Sequence, residues 1–129
     1  MTELAAALEP VLHDLRTCRV QPEVREYASP HPWQEGVWLL DPDGLGQVVA
    51  VVRGQSHAEQ IVELAGHVQE WAVEALWRAG ESATWPECPA HPNSHPLDPR
   101  VSDGQAVWTC PRGGDPTVPI GQFPTVSAG

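Results

Sequence analysis

WPECPAHPNSHPLDPRVSDGQAVWTCP, from Trp85 to Pro111, gathers two of the three cysteines and two of the six histidines of the chain. Cys88 and His91 stand as C-x2-H in a proline-stiffened turn, His95 follows, and Cys110 closes the stretch ahead of Pro111. Zinc takes four ligands in a tetrahedron, usually thiolates and imidazoles, and a two-residue spacer lets both ligands of one turn reach the same ion. A proline after each of the four residues lowers the entropy lost when the segment orders. Asp103-Gly104 tolerates the positive φ angles of a type I′ turn. That turn pairs Ser102 with Gln105 and Val101 with Ala106, and carries the register on to set Leu97 opposite Cys110. His95, two residues before Leu97, shares that face. The hairpin returns Cys110 to the Cys88/His91 turn, so Cys88, His91, His95 and Cys110 are the predicted ligands of one structural zinc ion.

The pattern resembles a zinc ribbon whose first knuckle is C-P-x-H and whose second, usually C-P-x-C, is reduced to Cys110-Pro111-Arg112-Gly113. Gly113 stands where the fourth ligand of a ribbon is expected. The resemblance leaves three outcomes: His95 takes that place, the site has three protein ligands and a water, or the hairpin is metal-free. The chain as a whole resembles short actinobacterial proteins carrying W-P-x-C-P-x-H-P…H-P-L…W-x-C-P, which implies no particular activity.

Composition sets the frame around this stretch. The 129 residues fit one domain with a modest core, and 14 prolines with 11 glycines imply much loop. Seventeen acids against seven bases, all arginine, give a net charge of −10. Such a charge repels phosphate backbones and argues against nucleic-acid binding. No apolar run reaches the length of about eighteen residues that a membrane span needs, and MTELAAALEPVL lacks a basic leader region. The expectation is a cytoplasmic protein whose odd number of cysteines serve as ligands or buried thiols, not disulfides.

Upstream, Leu4, Leu8, Val11, Leu12 and Leu15 recur at helical spacing. Pro10 either splits this segment into two pieces or opens the helix proper. Cys18 reads as a small buried residue. Gln21 to Glu35, with Pro22, Pro30 and Pro32, reads as a connecting loop in which His31 and Trp33 pack locally. Val37–Leu40 and Gln47–Arg53 read as antiparallel strands around Asp41-Pro42-Asp43-Gly44. Val48-Val49-Ala50-Val51-Val52 is apolar throughout, so both faces of that strand require cover. Ser56-His57-Ala58-Glu59 is a capping box. It opens a long helix with an apolar stripe of Ile61, Leu64, Ala65, Val68, Trp71, Ala72, Ala75 and Leu76, stopped by Gly80. His57 and His67 lie about 280° apart on that helix and do not form a ligand pair. The six tryptophans serve either as aromatic core or as a partner surface.

The predicted fold is therefore α+β: N-terminal helix, antiparallel β-hairpin and long amphipathic helix over 1–82, a zinc-ribbon-like hairpin packed on that body over 83–113, and a flexible Pro/Gly-rich tail over 114–129. Val118, Ile120, Phe123 and Val126 of the tail resemble a docking peptide, with a tail lying over its own domain as the other reading. No phosphate loop, catalytic triad order or nucleotide fingerprint is present. The expected function is a non-enzymatic protein-binding or adaptor module with a structural zinc. The alternative is a small metal- or thiol-dependent enzyme using Cys88 and His91, with Glu87 as its one candidate base.

Overall fold

The computed structural model describes residues 2–92, 94–113 and 117–123. In chain order these form α1 (Glu3–Leu15), β1 (Glu23–Tyr27), β2 (Gln34–Leu40), β3 (Gly46–Val52), α2 (His57–Arg78), β4 (Asp98–Ser102), β5 (Gln105–Thr109) and β6 (Thr117–Pro119). Two antiparallel three-stranded sheets, β1-β2-β3 and β4-β5-β6, pack on a pair of helices, an α+β arrangement. No helix among the described residues is long and apolar enough to cross a membrane.

Helix α1 corrects both sequence readings of Pro10. It is a single helix that starts on the Thr2 cap, whose side chain accepts from the Ala5 N–H, and Pro10 lies inside it. Proline in a helix interior costs about 3 kcal/mol. Leu4, Ala7, Leu8, Val11 and Leu15 form one buried stripe on both sides of Pro10, and each fully buried Leu or Val contributes about 1.5–3 kcal/mol. The stripe outweighs the proline.

The connecting loop read over Gln21 to Glu35 contains a strand. Glu23–Tyr27 pairs antiparallel with β2, with Val24 opposite Leu39 and Tyr27 opposite Gly36. Every β1 side chain is exposed or half-buried, so the sequence shows no alternating apolar signal there. The strand is held by its ladder and by the Tyr27 ring, which lies 3.2 Å from where a Gly36 Cβ would stand. The remaining strands of this sheet follow the sequence reading, with β2 and β3 paired from Gln34↔Val52 to Leu40↔Gly46.

Asp41 builds the β2–β3 turn. Its Oδ1 accepts from the Asp43 and Leu45 N–H groups at 2.9 and 3.0 Å, and its Oδ2 accepts from Arg78 Nε at 2.8 Å, tying the turn to the end of α2. Burial alone pushes the Asp41 carboxyl up, but the Leu45 N–H, the Arg78 guanidinium and the Asp43 N–H outweigh it and hold the carboxyl below its usual range. A folded-state value below the unfolded one gives stability that is present above the unfolded pKa, near pH 4, and lost as pH falls through the lower folded value. Urea unfolding between about pH 5 and pH 2 is expected to show this loss, and Asp41→Asn to flatten the dependence. An unchanged slope in that variant contradicts the assignment.

Helix α2 opens on Ser56, whose hydroxyl accepts from the Glu59 N–H. It buries the predicted stripe and also Gln60, which donates to the Val52 carbonyl and to Glu3 Oε1. It ends with Gly80 at φ 74° and with Gly80 N–H and Glu81 N–H donating to the Trp77 and Leu76 carbonyls, the paired closure that a left-handed glycine permits.

In the second sheet Asp103 and Gly104 have φ angles of 51° and 76°, the type I′ turn that was expected. The pairs run from Ser102↔Gln105 to Asp98↔Thr109. The segment read as a loose tail is ordered over 117–123. β6 pairs with β5, Val118 opposite Trp108, and Val118 and Ile120 are buried in the chain's own core with Phe123 packed against it. This is the second of the two sequence readings of the tail. Residues 114–116 and 124–129, Val126 included, lie outside the described residues.

One buried carboxylate joins the chain's two ends. Asp14 on α1 is 0% exposed. Its Oδ2 accepts from Trp108 Nε1 and the Gly121 N–H, both at 2.8 Å. Its Oδ1 accepts from the Phe123 N–H at 3.1 Å and from His13 Nδ1 at 3.0 Å. Gly121, at φ 108°, lies directly over Pro10, where an added Cβ would stand 2.9 Å from the proline Cβ. A single apolar cluster then runs from Leu4 of α1 through Leu39, Val49 and Trp71 to Leu97, Trp108 and Ile120.

Candidate metal centre

The loop from Cys88 to His95 closes on itself before it meets β5. His91 N–H donates to the Cys88 carbonyl at 3.1 Å and Ser94 N–H to the His91 carbonyl at 3.2 Å, making two successive turns. A bridge between Glu87 and Pro96 closes the base. There Cys88 N–H donates to the His95 carbonyl at 3.4 Å and Leu97 N–H to the Pro86 carbonyl at 2.8 Å. His95 thus reaches Cys88 through this bridge, in addition to the strand register. Cys110 arrives from the other side, immediately after β5.

A residue without a sequence signal fixes the loop to the body. Gln69 on α2 donates through Nε2 to the Leu97 carbonyl at 2.7 Å and the Trp85 carbonyl at 3.2 Å. These carbonyls belong to the two arms of the loop, so one amide sets its position against the helix. Below it Trp85 and Trp108 meet edge to face at 5.5 Å, and Trp85 Nε1 donates to Thr17 Oγ1 at 3.0 Å.

All four predicted ligands come together. One ligand atom from each of Cys88, His91, His95 and Cys110 lies within 4.8 Å of every other, close enough to hold a metal ion. His91 Nδ1 stands 3.6 Å from Cys88 Sγ, 3.5 Å from Cys110 Sγ and 3.1 Å from His95 Nε2. His95 Nε2 stands 3.8 Å from Cys110 Sγ. A tetrahedral ion with bonds of about 2.3 Å to sulfur and 2.0–2.1 Å to nitrogen has sulfur–nitrogen edges of about 3.5 Å and a nitrogen–nitrogen edge of about 3.3 Å. The observed edges scatter around those lengths.

Hydrogen bonding within the cluster does not account for this convergence. An imidazole nitrogen carries one lone pair or one hydrogen, yet His91 Nδ1 has three ligand atoms around it. A central cation satisfies all of them at once. The tautomer of His95 is set as such a role requires: the Pro96 carbonyl, 2.9 Å from His95 Nδ1, can only accept, so Nδ1 carries the hydrogen and Nε2 keeps its lone pair for the site. Cys88 is 0% and Cys110 3% exposed, while the imidazoles are half-buried and form the outer side.

Other candidates are placed elsewhere. Cys18 is buried, and burial raises its thiol pKa, with the Val20 and Arg19 N–H groups opposing. It lines a cleft of about 330 Å³ together with Thr17, Arg19, Trp85, Phe123 and Glu87. His31 stacks on Trp33 with ring centroids 4.5 Å apart, the local packing expected of that loop. Comparison with protein-family models, with curated proteins and with solved structures found no match to this chain.

Proposed function

We propose that Cys88, His91, His95 and Cys110 hold one structural zinc ion, and that the chain is a non-enzymatic binding module built around it. The observation that carries this reading is the position of His91 Nδ1, within 3.1–3.6 Å of three other ligand atoms at near-tetrahedral edge lengths. Two thiolates and two imidazoles in a tetrahedron suit zinc above the harder divalent ions. The C-P-x-H likeness to a ribbon knuckle points the same way, with His95 taking the place that Gly113 leaves empty.

Burial and ligand count speak against the enzymatic alternative. A catalytic zinc keeps an open position for water or substrate, and four protein ligands fill the shell. A thiolate nucleophile must be reached by its substrate, and Cys88 has no exposed surface. What the ion supplies is a covalent tie between the 88–95 loop and the end of β5.

Protein purified without added metal is expected to contain one equivalent of zinc. Replacement by Co²⁺ is expected to give the intense visible bands of a tetrahedral site together with thiolate-to-metal charge transfer. A preparation without metal whose Cys88 thiol alkylates rapidly in the folded state defeats the reading and favours the thiol alternative. An octahedral cobalt spectrum defeats the closed shell while leaving metal binding intact.

A further inference from the structure

The three free cysteines divide into a pair and a single residue. Cys88 and Cys110 bring their sulfurs within 4.8 Å of each other in the candidate metal centre, and Cys18 stands outside it. Two thiolates on one tetrahedral zinc ion lie about 3.8 Å apart, whereas a disulfide needs about 2.05 Å. Closing that gap asks little of the backbone, because neither residue sits inside a helix or strand. Cys88 enters the two turns that end at Ser94, and Cys110 begins the turn in which Gly113 N–H donates to its carbonyl at 3.4 Å.

The two sulfurs differ in what can reach them. Cys110 is 3% exposed and Cys88 0%, and the half-buried imidazoles of His91 and His95 close the outer side. A small neutral oxidant enters when one imidazole swings away, and the sulfur with any outward surface is that of Cys110. Cys88 needs no route from solvent, because the electrophile it attacks is the neighbouring sulfur. A metal ion holds both residues as thiolates, the nucleophilic form. Cys18 does not compete: burial raises its thiol pKa, with the Val20 and Arg19 N–H groups opposing, so less of it is thiolate.

We infer that the zinc site is also an oxidation site, at which hydrogen peroxide exchanges the ion for a disulfide between Cys88 and Cys110. This inference rests on the structural-zinc reading. The Cys110 thiolate attacks one peroxide oxygen: an S–O bond forms, the O–O bond breaks, and hydroxide leaves and takes up a proton to become water. The Cys88 thiolate then attacks the Cys110 sulfur: the S–S bond forms, the S–O bond breaks, and a second hydroxide leaves as water after taking up another proton. Two thiolates give up two electrons and the peroxide accepts them. The zinc ion, left with two imidazoles, dissociates. The disulfide joins the same two points as the ion, so the 88–95 loop stays tied to the end of β5 while His91 and His95 are released.

Zinc-loaded protein in excess hydrogen peroxide is expected to release one zinc ion, read by a chromogenic chelator, for each chain that loses the mass of two hydrogens. Peptide mapping is expected to join Cys88 to Cys110 and to find Cys18 as a thiol that alkylates once the chain is unfolded. Dithiothreitol with added zinc is expected to restore the loaded form, and Cys18→Ser to respond like the parent. Thermal unfolding of the oxidised chain is expected to be indifferent to EDTA, since the disulfide has replaced the ion as the tie. A chain that holds no zinc before peroxide is added overturns the structural-zinc reading and the exchange with it. A chain that holds zinc and keeps it in excess peroxide overturns the exchange alone. So does zinc release that leaves Cys88 and Cys110 as sulfinic or sulfonic acids, or joined to Cys18 or to a second chain.

Discussion

Asp14→Ala is expected to lower the unfolding free energy by about 4 kcal/mol, a large part of the 5–15 kcal/mol that holds a domain of ordinary stability together. The substitution leaves Trp108 Nε1 and the Gly121 and Phe123 N–H groups without their acceptor, and each buried donor left unpaired costs about 1–3 kcal/mol. It also opens a void where a side chain with no exposed surface had been. Asp14→Asn keeps the volume but turns an NH₂ towards N–H donors whichever way the amide lies, and about half of that loss is expected. Trp108→Phe removes one donor and leaves the acceptor its other partners, so it costs about 1 kcal/mol for the lost bond. Urea unfolding of the three variants gives the ranking, and a loss below about 1 kcal/mol for Asp14→Ala shows that the carboxylate does not hold the two ends of the chain.

Cys110→Ser is expected to abolish zinc binding and to uncouple stability from metal. Any ligand that binds only the folded state stabilises it by about 4 kcal/mol when its free concentration is a thousand times its dissociation constant. The parent chain is therefore expected to gain about that much in zinc over EDTA, and Cys110→Ser nothing. The effect reaches beyond the loop, because Cys88, Leu97 and Cys110 belong to the same apolar cluster as Trp71 and Leu64 of α2. Thermal unfolding of both proteins with and without EDTA decides the matter. A parent chain indifferent to EDTA, with zinc still bound by mass spectrometry, shows that the ion is carried without supporting the fold.

What the sequence disclosed follows from how local each cause is. The β4–β5 hairpin was legible because Asp103-Gly104 fixes both turn type and register within four residues, and the long helix because Ser56, the stripe and Gly80 mark its start, face and end. The four ligand candidates followed from that register. β1 was illegible because its side chains are at most half-buried and its order is borrowed from β2, across the loop that separates Tyr27 from Gly36 and Glu23 from Leu40. Gln69 reads as an ordinary polar helix residue until Trp85 and Leu97 are placed beside it. Asp14 reads as solvated until Trp108 and Gly121 arrive from the far end of the chain, and the same contacts convert the expected loose tail into β6.

The bond from Phe123 to Asp14 spans a sequence separation of 109. A chain leaving the ribosome from its first helix onward can coil α1 early, yet it cannot satisfy that carboxylate until the segment at Gly121 has also been synthesised and has left the exit tunnel. Contacts of such reach slow folding and lengthen the interval in which apolar surface is open to chaperones and proteases. A nascent chain that has not yet reached Gly121 leaves the Asp14 carboxylate without the Gly121 and Phe123 N–H groups, so the acid near the start of the fold waits on its last described segment.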